Sequence, residues 1–437
     1  EMCIRDSLAF AVPLMLGSLF QQFYNLADTI IVGRFVGVEA LAAVGSVGGL
    51  NYLVLGFVNG IACGFSIPIS WTFGAHDHHE MRRYTANTVW LSIAFATVLT
   101  IVTVAMTHLV LVWTNTPADI IDLADIYIRT IFAGIPFTLL YNVTSALMRA
   151  LGDSKRPLYF LLVASVLNIG LDLACIILFN MGVFGAAVAT GISQLVTCIS
   201  YFVHFFSKKC TFRLCKFRFD PHLYARILPI GLSDGVTELC TGLMIFLFNR
   251  TVLKCIGTDG VVTYTVIAYV TTIVINLMVG ISQGSQPLAS YHYGKEDHTG
   301  CQKLLRYALT TVCIFAPALF LLVFFFAPQI VRTYLSHAGD ELIAYSIGAF
   351  RRYSVSYLLL GFNIVIGGFM TAIERPVPAI CISVGRGLAL QSAVLLLLAA
   401  IFGGDAVWYT PIFSEALCLV MSLLFLRSYR RQTDMQA

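Results

Sequence analysis

The chain has 437 residues, of which 58% are hydrophobic and only 11% are charged, and its mean hydropathy is +0.84. Soluble domains usually carry about 25% charged residues, so this composition excludes a soluble particle of this size. The formal charge is +4, and no nucleic-acid motif or long basic tract accompanies it, so we expect no nucleic-acid partner. The 12 Cys residues are scattered and lack zinc-ligand spacing, which predicts core residues rather than a metal site.

Apolar blocks, such as Leu158 to Phe179 and Ala308 to Ala327, recur along the whole chain. Blocks of about 20 apolar residues match the hydrocarbon thickness of a bilayer. No cleavage site follows the first block, so we do not interpret the chain start as a signal peptide. In chain order, the pattern predicts twelve membrane-spanning helices at residues 8–32, 40–70, 85–113, 120–147, 157–180, 184–206, 223–250, 260–290, 304–328, 342–372, 377–402 and 406–427.

The Lys and Arg residues indicate the orientation, because cytoplasmic loops carry an excess of them. With a cytoplasmic N-terminus, most basic residues fall in inside segments, and we assign Arg375 and Arg386 to one such segment. The outside segments hold only Arg34, Arg250, Lys254 and Arg332. This asymmetry predicts a multi-pass protein of the cell membrane with both termini in the cytoplasm.

The two halves of the chain resemble each other at an offset of about 220 residues, as in Gly60, Ile61 and Gly64 against Gly280, Ile281 and Gly284. Each half holds six helices, an even number, so both copies share one orientation. The predicted fold is an all-α integral membrane protein of two six-helix bundles related by a pseudo-two-fold axis along the membrane normal. The predicted domains are an N-lobe at 1–206, a basic cytoplasmic linker at 207–222 and a C-lobe at 223–437.

Ionisable groups within a span are costly, roughly 2.5–3.5 kcal/mol each at the helix centre, and therefore indicate function. In the first half, the candidates and the polar residues that share their helix faces are Gln21, Tyr24, Asp28, Asn168, Asp172 and Thr190. At about 1.5 Å per residue, Asp28, Asp172 and Thr190 reach a similar depth, which predicts one polar pocket. The alternative is that the two aspartates cap or brace helices near the membrane interface.

In the second half, Asp234 and Glu238 are four residues apart in the seventh span, and Glu238 lies near mid-membrane. The alternative for Glu238 is a neutral side chain that is hydrogen-bonded to a neighbouring helix.

His76, His78 and His79 form a string in a predicted cytoplasmic loop, where solvated side chains are favoured over a metal site. The sequence contains no P-loop, no GxSxG and no convincing metal set, so we predict no catalytic residue, no metal and no enzymatic activity.

Three stretches resemble motifs of the multidrug and toxic compound extrusion (MATE) family. They are Gln21 to Gly33 in the first span, Met148 to Asp153 followed by Pro157 in a loop, and Asn168 to Asp172 with Gly185 to Thr190 in the fifth and sixth spans. The resemblance covers almost the whole chain, and the motifs occur in the same order as in the family.

The resemblance implies a V-shaped pair of bundles that exports organic cations and other drugs in exchange for H⁺ or Na⁺, without a cofactor. It implies that the six polar residues of the first half form a cation site. In another branch of the family, an acid matching Glu238 acts together with an aspartate in the tenth helix, where this chain has only Asn363. We therefore expect coupling through the N-lobe, in a monomer that acts on small organic substrates in the bilayer.

Two other functions remain open from the sequence. A lipid-linked oligosaccharide flippase of the same superfamily would line its cavity with several basic residues for phosphate. We assign only Arg129, Arg351 and Arg352 to the spans, all near helix ends. A polytopic membrane enzyme, such as an acyltransferase, would need an ordered His/Asp/Glu cluster at the interface, and the sequence shows none.

Overall fold

The structure is a computed structural model that describes residues 4–113, 119–206, 218–335 and 339–434. Within these ranges the chain is helical. The α-helices are α1 (Ile4–Phe35), α2 (Val38–Gly74), α3 (His78–Trp113), α4 (Ile121–Ala133), α5 (Ile135–Ala150), α6 (Lys155–Leu173), α7 (Gly182–Phe206), α8 (Pro221–Cys255), α9 (Thr258–Gly294), α10 (His298–Tyr334), α11 (Asp340–Ser354), α12 (Tyr357–Ala372), α13 (Pro376–Val384), α14 (Leu390–Phe402) and α15 (Thr410–Asp434).

The helices account for the twelve predicted spans. In the described part of the chain, nine continuous helices are long and apolar enough to cross a membrane, or eleven when each of two bent helix pairs is one span. The helix α1, 32 residues long, covers the first predicted span. The prediction of an all-helical membrane protein with twelve spans in two bundles is therefore confirmed.

Two spans that we predicted as single helices are bent pairs. The helices α4 and α5 meet at 45°, and α11 and α12 meet at 40°. Pro136 at the start of α5 has no N–H to donate, so the helical hydrogen-bond ladder breaks there. At the second bend, the Ser356 hydroxyl donates to the Tyr353 carbonyl at 2.8 Å and competes with the helical ladder.

Two further spans contain a π-helical turn, at Ala174–Leu178 after α6 and at Gly385–Ala389 between α13 and α14. Such turns insert an extra residue into a helix, re-aim the side chains around them, and are frequent at functional sites. The first follows Asp172 by two residues, and the second contains Arg386. Both turns therefore lie beside charged groups.

The chain divides into two compact units, which we describe separately. One contains residues 8–235 and 294–296, and the other contains residues 236–293 and 297–437 together with the start of the chain. In the first, α2 packs against α3 and α5, and α7 packs against α5 and α6. In the second, α10 packs against α11 and α12, and α15 packs against α12 and α14. The lobe boundaries predicted at 206 and 223 stay a prediction.

Within the first unit, α2 and the first half of α8 cross at unusually short range. Gly60 and Gly64 on α2 face Gly231 and Gly235 on α8. A Cβ atom added at Gly60 would lie 2.5 Å from the carbonyl oxygen of Asp234, and one at Gly64 would lie 2.6 Å from the Cα of Gly231. Small residues four positions apart on both helices allow this contact between backbones.

Asp297 caps the N-terminus of α10, and its loss should destabilise the second unit. Its side chain accepts the backbone N–H of Gly300 at 2.8 Å and lies 2.8 Å from Nδ1 of His292. The Gly300 hydrogen bond, followed by His292, lowers the pKa of Asp297 below its ordinary value. Asp297→Ala should remove roughly 1 kcal/mol, the usual value of an N-cap, and lower the melting temperature of the purified protein.

The charge of Asp297 gives this prediction a pH dependence. Since its pKa is lowered by folding, the carboxylate stabilises the fold above the ordinary Asp pKa, and this stabilisation is lost as pH falls through the lowered value. The difference in melting temperature between wild type and Asp297→Ala should therefore narrow in acid. Asp297→Asn, which keeps an acceptor for Gly300, serves as the control. A difference in melting temperature between wild type and Asp297→Ala that stays constant from neutral pH into acid would argue against a role for the charge.

Candidate functional site

The hydroxyl of Thr190 joins three helices of the first unit. It lies 3.4 Å from the Tyr24 hydroxyl, which donates to it from α1, and 3.3 Å from Nδ2 of Asn168 on α6. Thr190 itself donates to the carbonyl of Ala186, one turn earlier in α7, at 3.2 Å. Three of the six predicted residues are thus hydrogen-bonded through one hydroxyl group.

Asp28 of α1 and Asp172 of α6 lie beside this cluster, and their carboxyl groups are close enough to interact electrostatically with each other. Asp172 is fully buried, at 0% exposure. Among the described residues, no donor group of the protein reaches either carboxyl oxygen of Asp172, Oδ1 of Asp28 or Oδ1 of Asn168. The site is therefore a set of oxygen acceptors that lacks a positive partner.

Local sequence explains how α6 and α7 come together here. A Cβ atom at Gly185 would lie 3.1 Å from the Cβ of Cys175, in the π-helical turn that follows Asp172. Only a residue without a side chain permits this approach at the start of α7. Thr190 is five residues, little more than one helical turn, further along α7, which places its hydroxyl against Asn168.

The sixth residue of the first-half set, Gln21, differs from the other five. Gln21 is exposed, and the described part of the chain shows no hydrogen bond between its side chain and the other five residues. Tyr127 on α4, which we did not predict, is buried and close enough to Asp28 and Asp172 to interact electrostatically with both. Its position in an apolar stretch gave no signal in the sequence.

The two second-half candidates belong to different units. Asp234 lies in the first unit, where its backbone carbonyl packs against Gly60. Glu238, partly exposed, lies in the second unit, where Arg386 interacts electrostatically with it. A shared site of these two residues, suggested by their spacing of four, stays a prediction.

Arg386 lies within the span formed by α13 and α14, and inside the predicted span 377–402, although we counted it among the basic residues of a cytoplasmic segment. It is only 7% exposed and its Nη1 lies 3.7 Å from Oε1 of Glu415, which is 5% exposed. Its inclusion in the cytoplasmic count was wrong, because the π-helical turn that contains Arg386 lies within the span. We also overlooked Glu415 in the last span.

Asn363, which stands where the family resemblance implied an aspartate, binds Glu415. Its Nδ2 donates to Oε2 of Glu415 at 2.7 Å and to the backbone carbonyl of the same residue at 2.9 Å. The Ser422 hydroxyl donates to Oδ1 of Asn363 at 3.0 Å. The second unit thus has a carboxylate near Asn363, but it comes from α15.

No group of three or more His, Cys, Asp and Glu side chains that could hold a metal occurs in the ranges described above. The histidine string forms a turn and the start of α3. His76 has φ 56°, and Asp77 accepts the backbone N–H groups of His79 at 3.1 Å and Glu80 at 2.9 Å. These residues make a helix cap, which requires no bound ion.

Comparison with known proteins identifies the family. The MatE family model matches residues 13–174 and again residues 235–395. The two matches start about 220 residues apart, which agrees with the internal repeat. Since they cover well over half of the chain, they show the family.

Relatives and solved structures agree with this assignment. The chain is 27% identical to the probable multidrug resistance protein YoeA of Bacillus subtilis, over 84% of this chain and 81% of that protein. It is 20% identical to the multidrug export protein MepA of Staphylococcus saprophyticus, over 96% of this chain and 92% of that protein.

Among solved structures, the fold matches a MOP superfamily transporter from Pyrococcus furiosus, described as having a binding pocket of reverse polarity. The TM-score is 0.92 at 23% identity, with 99% of this chain and 96% of that chain covered. An outward-facing MATE family transporter of the same superfamily gives a TM-score of 0.90 at 23% identity, with 99% and 97% covered. With the family motifs, the repeat and the polar site in place, this chain belongs to the MATE family of efflux transporters.

Proposed function

We propose that this protein exports organic cations and other toxic small molecules by alternating access, in exchange for H⁺ or Na⁺ bound at Asp28 and Asp172. The observation that carries the proposal is a pair of neighbouring carboxyl groups in which both oxygens of Asp172 and Oδ1 of Asp28 have no donor among the described residues. Relatives named for multidrug export support the choice of cargo.

The electrostatics of the pair explain why it would bind and release a cation. Two carboxylates this close in a poorly solvated site repel each other, so they cannot both remain ionised without a positive charge between them. A proton shared by the pair converts one carboxyl into a donor for the other. A sodium ion would instead be coordinated by their oxygens, together with the unpaired Oδ1 of Asn168.

Binding at the pair can drive transport only if the inward-facing and outward-facing states bind the cation differently. Asp28 lies on α1, which contains Pro13 in its interior, so its backbone ladder is already interrupted. In our proposal, neutralisation of Asp28 and Asp172 changes their hydrogen bonds and bends α1 near Pro13. This bend favours release of the cargo, and loss of the cation on the cytoplasmic side resets the protein.

The flippase alternative is not favoured by the site. A lipid phosphate needs unpaired basic groups, whereas Arg386 in the second unit already pairs with Glu415.

We propose that the protein acts as a monomer in the cell membrane, with both termini in the cytoplasm and no cofactor beyond the coupling ion.

The proposed function is tested with purified protein in liposomes loaded with a fluorescent organic cation. A proton gradient and a sodium gradient are imposed separately, each with the other ion balanced. We expect one of them to drive cargo movement against its own concentration gradient. Movement of cargo that is indifferent to both gradients would contradict exchange as the mechanism.

A further inference from the structure

Arg386 is a permanently charged side chain in an apolar span, and its environment shows what balances it. A charged group at this depth is costly and is retained where it has a partner or a role. The partner is Glu415, 3.7 Å away, and both residues are at least nine-tenths buried. Asn363 holds the other oxygen of Glu415 at 2.7 Å, so the carboxylate is fixed on two sides.

A second carboxylate approaches the same guanidinium group. Glu238 on α8 interacts electrostatically with Arg386, and in the described residues its carboxyl group forms no hydrogen bond or ion pair. Gly387 makes the approach possible. A Cβ atom at that position would lie 2.8 Å from the Cβ of Cys240, two residues after Glu238. The absence of a side chain at Gly387 therefore lets the π-helical turn carry Arg386 to α8.

The charges of this centre do not cancel. With Glu238 and Glu415 ionised, Arg386 neutralises one of the two negative charges. This excess of negative charge beside a buried ion pair attracts one further positive charge. The guanidinium group, with five donors in a rigid plane and a charge that it cannot lose, already supplies one positive charge that acts on both acids.

We propose that Arg386 is a tethered cation that takes the place of a mobile metal cation between Glu238 and Glu415, and that it makes this centre reject Na⁺. The remaining negative charge is balanced by a single proton. Arg386 is thus a residue that determines ion specificity in the second unit. The inference concerns residues other than Asp28 and Asp172, so it stands independently of the cargo and of the coupling site proposed above.

The test measures sodium binding by thermal unfolding of the purified full chain, without cargo. All variants carry Asp28→Asn and Asp172→Asn, which removes the first-half site from the measurement. Melting temperatures are compared in NaCl and in choline chloride at equal ionic strength. In this background, with Arg386 intact, we expect no difference between the two salts.

Replacing the tethered cation should create a sodium site. We expect Arg386→Gln to gain a sodium-dependent rise in melting temperature of at least about 2 °C at saturating salt. The matched control Arg386→Lys keeps the positive charge and should show no rise. Adding Glu415→Gln to Arg386→Gln should abolish most of the rise, because only one carboxylate remains.

Two results would overturn the proposal. One is a folded Arg386→Gln variant whose melting temperature is the same in both salts. The other, which needs no variant of Arg386, is sodium stabilisation of the background protein that disappears on adding Glu238→Gln. The second result keeps the proposal testable if Arg386→Gln does not fold.

Discussion

Asp28→Asn should strongly reduce drug export while the protein remains in the membrane in wild-type amounts. The substitution preserves the shape of the side chain and removes one of the two facing carboxyl groups. The pair then has one negative charge at most and no longer needs a bound cation to relieve repulsion. A hydrogen bond to a charged group contributes about 1.5–3 kcal/mol, so losing the charge should reduce gradient-driven export by about 10-fold to 100-fold.

The measurement is resistance of a drug-sensitive host to a cationic drug, with the transporter quantified in the membrane fraction. Asp122→Asn is the matched control, since Asp122 is an exposed aspartate at the start of α4 in the same unit. The control should retain full resistance. Full resistance of Asp28→Asn at equal protein levels would remove Asp28 from the mechanism.

Gly60→Ala should destabilise the protein by roughly 1–3 kcal/mol, the usual cost of overpacking a well-packed core. The added methyl carbon would lie 2.5 Å from the backbone oxygen of Asp234 and 2.9 Å from the Cα of Gly235. Both are backbone atoms, which cannot rotate away as the end of a side chain can. The helices α2 and α8 must therefore separate, and the contacts around the crossing weaken.

The same substitution at Gly45 provides the control for Gly60→Ala. Gly45 also lies in α2, and a Cβ atom there would meet no other atom within 4 Å. Gly45→Ala should be neutral or slightly stabilising, because alanine favours a helix more than glycine does. Both melting temperatures are measured in the same detergent. Equal melting temperatures for the two variants would show that the α2–α8 crossing adapts at little cost.

Much of the first-half site was predictable from the sequence. Equal depth along the spans placed Asp28, Asp172 and Thr190 near one another, because helix rise per residue is constant. The structure places Thr190 within hydrogen-bonding distance of Tyr24 and Asn168. Their role as a cation site stays a prediction. The position of Tyr127 beside Asp28 and Asp172 could not be predicted, since a tyrosine in an apolar helix is normally interpreted as a packing residue.

The second unit was harder to predict, for a physical reason. Hydropathy locates spans but does not reveal π-helical turns, and the turn at Gly385–Ala389 is what buries Arg386. We therefore counted Arg386 among the cytoplasmic basic residues, although it falls within the predicted span 377–402. The bends at Pro136 and Ser356 were missed in a similar way, because a bent pair is as apolar as a straight helix.

The central claim is that a cation exchanged at Asp28 and Asp172 drives export. It is tested most directly in liposomes by comparing wild type with the double variant Asp28→Asn/Asp172→Asn, in which Glu238 is unchanged. Both are given the ion gradient that drives wild-type export of a fluorescent cation. The account predicts that the double variant, reconstituted in equal amounts, no longer moves cargo against its gradient. Uphill movement at the wild-type rate by the double variant would contradict it.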